Sequence, residues 1–295
     1  MFLDRGELKD WFGSNEIWIE TTIAVLAFYL FVVHTATATD RSFLNRDLLK
    51  DANCITGTIL MLFLGIILNG TSVLLPTMMQ ALMKYPVLTT GLVTAPRGIG
   101  TMIAMFLVAR LIGRVDTRLV ILTGLSLTAV SLWQMTGFSL NMGMGPILVS
   151  GVLQGFGLGF VFTPLSIVTF STLPRQNLTQ GTAIFSLTRN VGGSIGIAIV
   201  EALLAENTQI VHSRLVEHLR PDNPLAQAPY LMPPYSLATP SGIAALNAEA
   251  TRQAAMVAYV DNFRLMMIIV IVSLPLLLLL RRPRPAAAGA PVAAE

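Results

Sequence analysis

Residues 92–113 read LVTAPRGIGTMIAMFLVARLIG, an apolar stretch long enough to cross a bilayer that nevertheless contains Arg97. Residues 184–204, IFSLTRNVGGSIGIAIVEALL, repeat this combination with Arg189. A charge at membrane depth costs at least about 2.5–3.5 kcal/mol. Such a residue lines a cavity, pairs with a partner, or lies close enough to an interface to reach water. The first two outcomes indicate a protein that handles something polar inside the membrane.

Composition places most of the chain in a membrane. Hydrophobic residues make up 54% of the sequence and charged residues 12%, whereas soluble domains are about 25% charged. We therefore predict an all-α, polytopic membrane protein in contact with the lipid bilayer. The net charge of +3 is too small to indicate nucleic-acid binding. The single cysteine, Cys54, excludes an internal disulfide and a cysteine-rich metal site.

Seven stretches are long and apolar enough to span the bilayer, which takes about 20 residues. They are residues 16–38, 55–79, 92–112, 119–138, 147–170, 183–204 and 263–280. The intervening chain divides into an external N-terminal segment, a cytoplasmic connector, a long external loop and a disordered cytoplasmic tail. These are residues 1–15, 39–54, 205–262 and 281–295. The predicted six-helix bundle, 55–280, thus follows one extra helix.

Basic residues set the orientation of these spans. They cluster in the connectors that fall on one side when seven spans alternate: Arg41, Arg46, Lys50, Arg110, Arg114, Arg118, Arg175, Arg281, Arg282 and Arg284. Cytoplasmic loops carry the excess of Lys and Arg. We therefore expect the C-terminus in the cytoplasm and the N-terminus outside. The external loop 205–262 is rich in proline, so we expect a solvated loop with one packed helix rather than a substrate-binding domain.

Two spans carry glycines at intervals of four residues, which place them on one helix face. Such small-residue stripes let helix backbones approach closely. Packing is the expected role of these glycines, namely Gly151, Gly155, Gly159, Gly192 and Gly196. Gln154 lies beside the first stripe, where lining a cavity and hydrogen bonding between helices are equally good interpretations.

The polar groups within the spans are candidates for a substrate pathway: Arg97, Gln154, Arg189, Asn190 and Asn69. An alternative stays open for the two arginines. Arg97 lies about one turn inside the predicted outer surface, and Arg189 one to two turns from the predicted cytoplasmic start of its span. From either depth a long side chain can snorkel to water.

The connector GRVDTR, residues 113–118, joins the third and fourth spans. Gly113 permits a tight turn, and Asp116 is placed near a helix N-terminus, where a carboxylate is favoured by about 0.3–1 kcal/mol. Arg114 and Arg118 flank it. The connector is either a cytoplasmic latch between helices that move against each other or a topology signal with an incidental ion pair.

No catalytic or cofactor-binding motif is present. His34, His212 and His218 lack metal-ligand spacing apart from a loose pair in the external loop. We therefore predict no catalytic residue, no metal site and no cofactor, and we regard a polytopic membrane enzyme as the less favoured alternative.

Five segments in order resemble landmarks of one family, the EmrB/QacA type of fourteen-span drug:proton antiporter in the major facilitator superfamily. They are LDRGELKDWFGS at 3–14, APRGIGTMIAM at 95–105, GRVDTR at 113–118, GVLQGFGLGFVFTPL at 151–165 and LTRNVGGSIGIAI at 187–199. The resemblance implies that this chain corresponds to the latter half of such a transporter. It also implies that GRVDTR is the second-half copy of a cytoplasmic gating loop.

The resemblance implies multidrug efflux by proton antiport in a bacterial inner membrane, with hydrophobic or amphipathic drug-like substrates. An N-terminal half on another polypeptide would be a required partner, and a periplasmic adaptor protein a further one. The six N-terminal helices of the family, with acidic residues associated with proton coupling, have no counterpart in this sequence. The alternative is an inactive, truncated remnant of a transporter.

Overall fold

A computed structural model describes residues 15–37, 48, 50–219, 235–237 and 239–280. The predicted segment 1–15 and tail 281–295, and most of the connector 39–54, lie outside the described residues. Within these ranges the regular structure is helical, apart from one isolated bridge between Ile112 and Val115. The all-α prediction is confirmed.

The described residues form seven α-helices. They are α1 (Asn15–Thr37), α2 (Ala52–Ala81), α3 (Val87–Leu111), α4 (Thr117–Met135), α5 (Met144–Phe170), α6 (Leu178–Val216) and α7 (Pro240–Ser273). Short 3₁₀ helices precede α6 and follow α7, at Arg175–Asn177 and Leu274–Leu279. In the described part of the chain, α2 to α7 are long and apolar enough to cross a membrane, and α1 contributes the shorter apolar stretch Ile17–Ala27. This pattern agrees with a six-helix bundle preceded by one extra helix.

The last two helices are longer than their apolar stretches. α6 continues to Val216 rather than ending at residue 204, and α7 begins at Pro240 rather than at residue 263. The expected external loop 205–262 is therefore helical at both ends. Hydropathy locates the part of a helix that lies in hydrocarbon, whereas capping groups determine where the helix starts. Thr239 accepts the Gly242 N–H at 3.2 Å, and Pro240 follows at the first helical position.

The extended ends of α6 and α7 support each other. His212 Nε2 lies 2.9 Å from Asn247 Oδ1, which joins the two helices beyond their apolar parts. Deeper in the bundle, Asn262 Nδ2 of α7 donates to the Val200 carbonyl of α6 at 3.4 Å. α7 also buries Ala254, Met256 and Tyr259 over residues that hydropathy assigns to a loop, so packing as well as these polar links holds it in place.

The core lies between α2, α4, α5 and α7. Its fully buried side chains include Leu64, Ile121, Leu165, Phe263 and Met266. α5 packs along both α3 and α4, while α6 packs along α2 and α7. The sides of α3 and α6 away from these contacts carry exposed apolar residues. This arrangement places α2, α3, α5 and α6 around the polar groups described next.

Candidate substrate pathway

Arg97 lies on α3 and its side chain is directed toward α2. Its Nη1 donates to Ser72 Oγ at 3.2 Å, and its Nη2 donates to Thr71 Oγ1 at 3.1 Å and to the Leu68 carbonyl at 3.5 Å. All three acceptors are neutral. Arg97 is thus held by hydrogen bonds across two helices without neutralisation of its charge.

Both intramembrane arginines lie several turns inside their helices. α3 begins at Val87, ten residues before Arg97, which is about 15 Å along the helix axis at 1.5 Å per residue. α6 begins at Leu178, eleven residues before Arg189, or roughly 16 Å. Hydropathy omits the first turns of both helices. The contacts of Arg97 with α2 favour a partnered residue over one that snorkels to the surface.

A cavity of about 790 Å³ opens between α2, α3 and α5. Arg97 lines it, and Arg189 of α6 reaches it from the opposite side. Its other walls are mostly apolar and include Leu75, Met102 and Phe162. Ligand sites commonly measure about 300–1,000 Å³ and combine apolar walls with a few polar groups. The two arginines that the sequence places on different spans therefore line one cavity.

Arg189 also lines a second cavity of about 350 Å³. Met105 and Phe162 line both cavities as well, so the two are neighbours. Ser166, Thr182 and Ser186 add hydroxyl groups to the smaller one. Among the described residues, Arg189 has no carboxylate within salt-bridge distance. Its charge is therefore available to whatever occupies this region.

The glycine stripe of α5 sets the distance between α5 and α3. A methyl group on Gly155 would overlap the carbonyl of Arg97, and one on Gly159 would lie 2.8 Å from the carbonyl of Thr101. Gly151, on the same stripe, is different: its nearest neighbour is the Arg97 Cβ at 4.0 Å. The close contact at Gly155 thus fixes the backbone that carries Arg97.

A second close contact joins α2 and α6. Methyl groups on Gly192 and Gly196 would overlap the backbone of α2. Asn69 lies in the same contact, because its amide group fills the space beside Gly193 and donates to the Gly65 carbonyl at 3.1 Å. Asn69 is therefore placed at a helix interface rather than on the cavity wall.

Gln154 and Asn190, the remaining candidates for the substrate pathway, differ in burial. Gln154 is fully buried, and neither of its amide atoms has a hydrogen-bond partner among the described residues. It lies on α5 between Gly151 and Leu158, which both line the larger cavity. Asn190 is exposed on the outer side of α6. Gln154 is thus close to the cavity, and Asn190 does not line it.

Sequence reasoning missed the hydroxyls of Thr71 and Ser72. Both are ordinary residues of an apolar helix, and each also donates to the backbone of its own helix. The only sequence feature that points to these hydroxyls is Arg97, because an arginine within an apolar span requires hydrogen-bond acceptors on a neighbouring helix. The pairing of α2 with α3 that supplies them cannot be read from spacing along the chain.

The connector at residues 113–118 forms a tight turn. Gly113 has φ of 87°, a left-handed conformation that favours glycine. Asp116 then caps α4 by accepting the Arg118 N–H at 3.1 Å. Arg114 is exposed, whereas Arg118 is partly buried, and its Nε has no hydrogen-bond partner among the described residues. The connector thus has a structural role at the start of α4; its role as a latch stays a prediction.

Replacing Asp116 by alanine should lower the stability of the chain by about 0.5–2 kcal/mol, because the start of α4 loses its cap. Asp116→Asn should lie within a few tenths of a kcal/mol of the parent, since asparagine caps equally well. The measurement is the thermal midpoint of the purified chain in detergent. Equal losses for both variants would show that the negative charge matters and not the cap.

Comparison with known proteins identifies the family of this chain. The family model described as Major Facilitator Superfamily matches residues 55–210, more than half of the chain. The chain belongs to the Major Facilitator Superfamily. The matched region runs from α2 into α6 and so contains Arg97, Arg189 and the cavity between them. The site described above is therefore part of a major facilitator bundle.

The relatives carry the names of export or resistance proteins. The chain is 32% identical over 231 residues to the multidrug export protein EmrB of Escherichia coli (strain K12), covering 78% of this chain and 45% of that protein. It is 26% identical over 270 residues to the probable multidrug resistance protein EmrY of the same organism, covering 91% and 52%. The fatty acid resistance protein FarB of Neisseria gonorrhoeae is 28% identical over 221 residues, covering 75% and 43%.

The chain spans about half the length of these relatives. They support the resemblance to the latter half of an EmrB-type transporter. They are transporters by family, which agrees with the absence of a catalytic motif in the sequence. Similarity over about half of their length does not assign the substrates of these relatives to this chain.

Proposed function

We propose that this chain supplies the C-terminal bundle of a bacterial inner-membrane multidrug exporter driven by proton antiport. The observation that carries the proposal is the cavity of about 790 Å³ lined by Arg97 and Arg189. In major facilitator transporters, substrate sites lie near the bilayer midplane between two related halves. The position of both arginines several turns inside their helices and the mostly apolar cavity walls support such a site.

The proposal includes a second half that faces these helices. A cavity with charged groups cannot be left open to hydrocarbon at low cost, and in this chain α2, α3, α5 and α6 surround only part of the space. A second bundle facing these helices would close it. Alternating access then requires one half to rock against the other, with the connector around Asp116 as a cytoplasmic latch.

The experiment compares two proteins in an efflux-deficient bacterial host. One is this chain alone, and the other is a fusion of the N-terminal half of E. coli EmrB to this chain. We expect the fusion to export a neutral hydrophobic fluorescent dye, and we expect dissipation of the proton gradient to stop export. The chain alone should not export above an empty-vector control.

Two results would contradict this proposal. Export by the chain alone at a rate comparable with full-length EmrB would overturn the need for a second half. A correctly inserted fusion that exports nothing would favour the alternative, an inactive remnant. The fusion with α5 replaced by the corresponding EmrB helix is the control for compatibility of the two halves.

A further inference from the structure

Two close-packed helix pairs face each other across the larger cavity. In the α3–α5 pair, a methyl group on Gly155 would overlap the Arg97 carbonyl. In the α2–α6 pair, methyl groups on Gly192 and Gly196 would overlap the α2 backbone. Tightly packed interiors of this kind transmit strain rather than yield to it. Motion within the bundle is therefore easier between the two pairs than inside either of them.

Arg97 links the two pairs. It belongs to α3, and its hydrogen bonds go to Ser72 Oγ at 3.2 Å, Thr71 Oγ1 at 3.1 Å and the Leu68 carbonyl at 3.5 Å on α2. Each of the two hydroxyls also donates to a carbonyl of α2 itself, at 2.6 Å from Ser72 and 2.7 Å from Thr71. The link can therefore break without leaving either hydroxyl unpaired.

Gln154 of α5 is buried and has unused hydrogen-bonding capacity. Its exposed fraction is 0%, and neither of its amide atoms has a hydrogen-bond partner among the described residues. A buried polar group in this state bears the full cost of its desolvation. That cost is recovered if the amide has a partner in another conformation of the bundle, which requires a donor within reach of the amide oxygen.

Arg97 is a donor on the neighbouring helix. A side chain begun at Gly151 would have the Arg97 Cβ as its nearest neighbour, at 4.0 Å. Gln154 follows Gly151 by three residues, and the Cβ positions of such residues lie about 5–6 Å apart on a helix surface. Arginine carries its five N–H donors on a flexible stem. Rotation of the Arg97 side chain, with α3 and α5 unmoved, can therefore carry a donor toward Gln154.

We infer that Gln154 is a second hydrogen-bonding position for Arg97, which changes from α2 to Gln154 when the α2–α6 pair moves away from the α3–α5 pair. The inference rests on the proposed function, because the second conformation is a step of alternating access. Gln154 is a positioning residue that acts through Arg97. Its amide oxygen accepts from the guanidinium and offsets the loss of the α2 contacts, so that the motion has two defined end points.

The first test is a double-mutant cycle in the EmrB fusion, read as the initial rate of export of a neutral hydrophobic dye. Gln154→Met keeps the length of the side chain and removes its hydrogen-bonding atoms. We expect it to lower export at least about tenfold, as is typical for loss of a hydrogen bond to a charged group. In an Arg97→Met background the same change should alter export less than about twofold, because the bond is already absent.

Gln134→Met is the matched control. It makes the same change on α4, where Gln134 is exposed and lines neither cavity. Its export should stay within about twofold of the parent in both backgrounds, as expected for an independent site. The thermal midpoint of Gln154→Met in detergent should equal or exceed that of the parent, because the described conformation loses no hydrogen bond. A lower midpoint would show that Gln154 has a partner there and would contradict the inference.

A second test does not depend on export and uses the purified full chain in nanodiscs. Cysteines introduced at Gln80 of α2 and Val149 of α5, both exposed, carry nitroxide labels in a Cys54→Ala background. Pulsed electron paramagnetic resonance then measures the distance between the two helix pairs. Gln154→Glu supplies a carboxylate, which pairs more strongly with a guanidinium, and should add a second population of distances. Gln154→Met should show one population, and Arg97→Met should remove the second population from Gln154→Glu.

Three results would overturn the inference: unchanged export by Gln154→Met, an equal loss of export by this change in both backgrounds, or one common distance for Gln154→Met and Gln154→Glu. The first two leave the proposed function standing, because the unsubstituted fusion still exports. If the unsubstituted fusion exports nothing, the proposed function fails, and the distance measurement still decides whether Gln154 is a second position for Arg97.

Discussion

Replacing Gly155 by alanine is expected to destabilise the bundle by about 1–3 kcal/mol, the usual cost of inserting a methyl group into a packed interior. The added methyl would overlap the backbone carbonyl of Arg97. A backbone atom in a helix cannot move aside as a flexible side chain can, so α3 and α5 must separate. The measurement is the thermal midpoint of the purified chain in detergent, followed by size-exclusion chromatography.

Gly151→Ala is the control for this prediction. It makes the same chemical change on the same stripe of α5, but its nearest neighbour is the Arg97 Cβ at 4.0 Å, an ordinary contact. Alanine is also the better helix former by about 1 kcal/mol. Gly151→Ala should therefore match or exceed the stability of the parent. Equal midpoints for the two variants would contradict the close approach of α3 and α5 at Gly155.

Arg97→Gln in the EmrB fusion is expected to lower the rate of export of an amphipathic anion at least tenfold. A tenfold change corresponds to about 1.4 kcal/mol at 25 °C, which is within the range for loss of a charge-assisted hydrogen bond. Glutamine retains hydrogen-bond donors for Ser72 and Thr71 but removes the charge. Initial efflux rates from loaded cells give the measurement.

A control variant separates an effect of Arg97→Gln on folding from an effect on the cavity. Arg110→Gln removes a guanidinium from the same helix outside the cavity, and its export should stay within about twofold of the parent. The amount of each variant in the membrane is measured by immunoblot. Full export by Arg97→Gln at normal abundance would show that the cavity charge has no role in transport.

The helices of the bundle could be predicted because hydrophobicity alone reports a membrane span. Their ends could not be predicted equally well. Val87 and Leu178 begin α3 and α6 several residues before the apolar stretches start. α7 begins at Pro240 because of a Thr239 cap within a segment that is polar and rich in proline. Hydropathy does not report such local features of the chain as the Thr239 cap, and α3 and α6 begin without a side-chain cap.

The candidate site could be predicted only in part. Arg97 and Arg189 are conspicuous in the sequence because a charge within an apolar stretch is costly. Their common cavity depends on the packing of α2, α3, α5 and α6, which spacing along the chain does not encode. Asn69 is also a polar residue within an apolar stretch, yet it packs beside Gly193. Residue type therefore identified the candidates, and helix packing determined which of them line the cavity.

If the cavity between α2, α3 and α5 is a water-accessible pathway within the membrane, a cysteine on its wall should react with a water-soluble reagent. Cys54 is the only cysteine of the chain, so Cys54→Ala in this half gives a background in which single cysteines can be introduced. Gly98→Cys probes the cavity, because Gly98 lines it and open space surrounds its α-carbon. Ile268→Cys probes the outer side of α7, where Ile268 is 48% exposed and does not line the cavity.

The measurement is the rate at which a water-soluble maleimide labels each variant in the EmrB fusion, with any native cysteine of the EmrB half replaced. A thiol reacts as the thiolate, which requires contact with water. We expect labelling of Gly98→Cys at least tenfold faster than of Ile268→Cys. Equal rates at the two positions would contradict a water-accessible cavity.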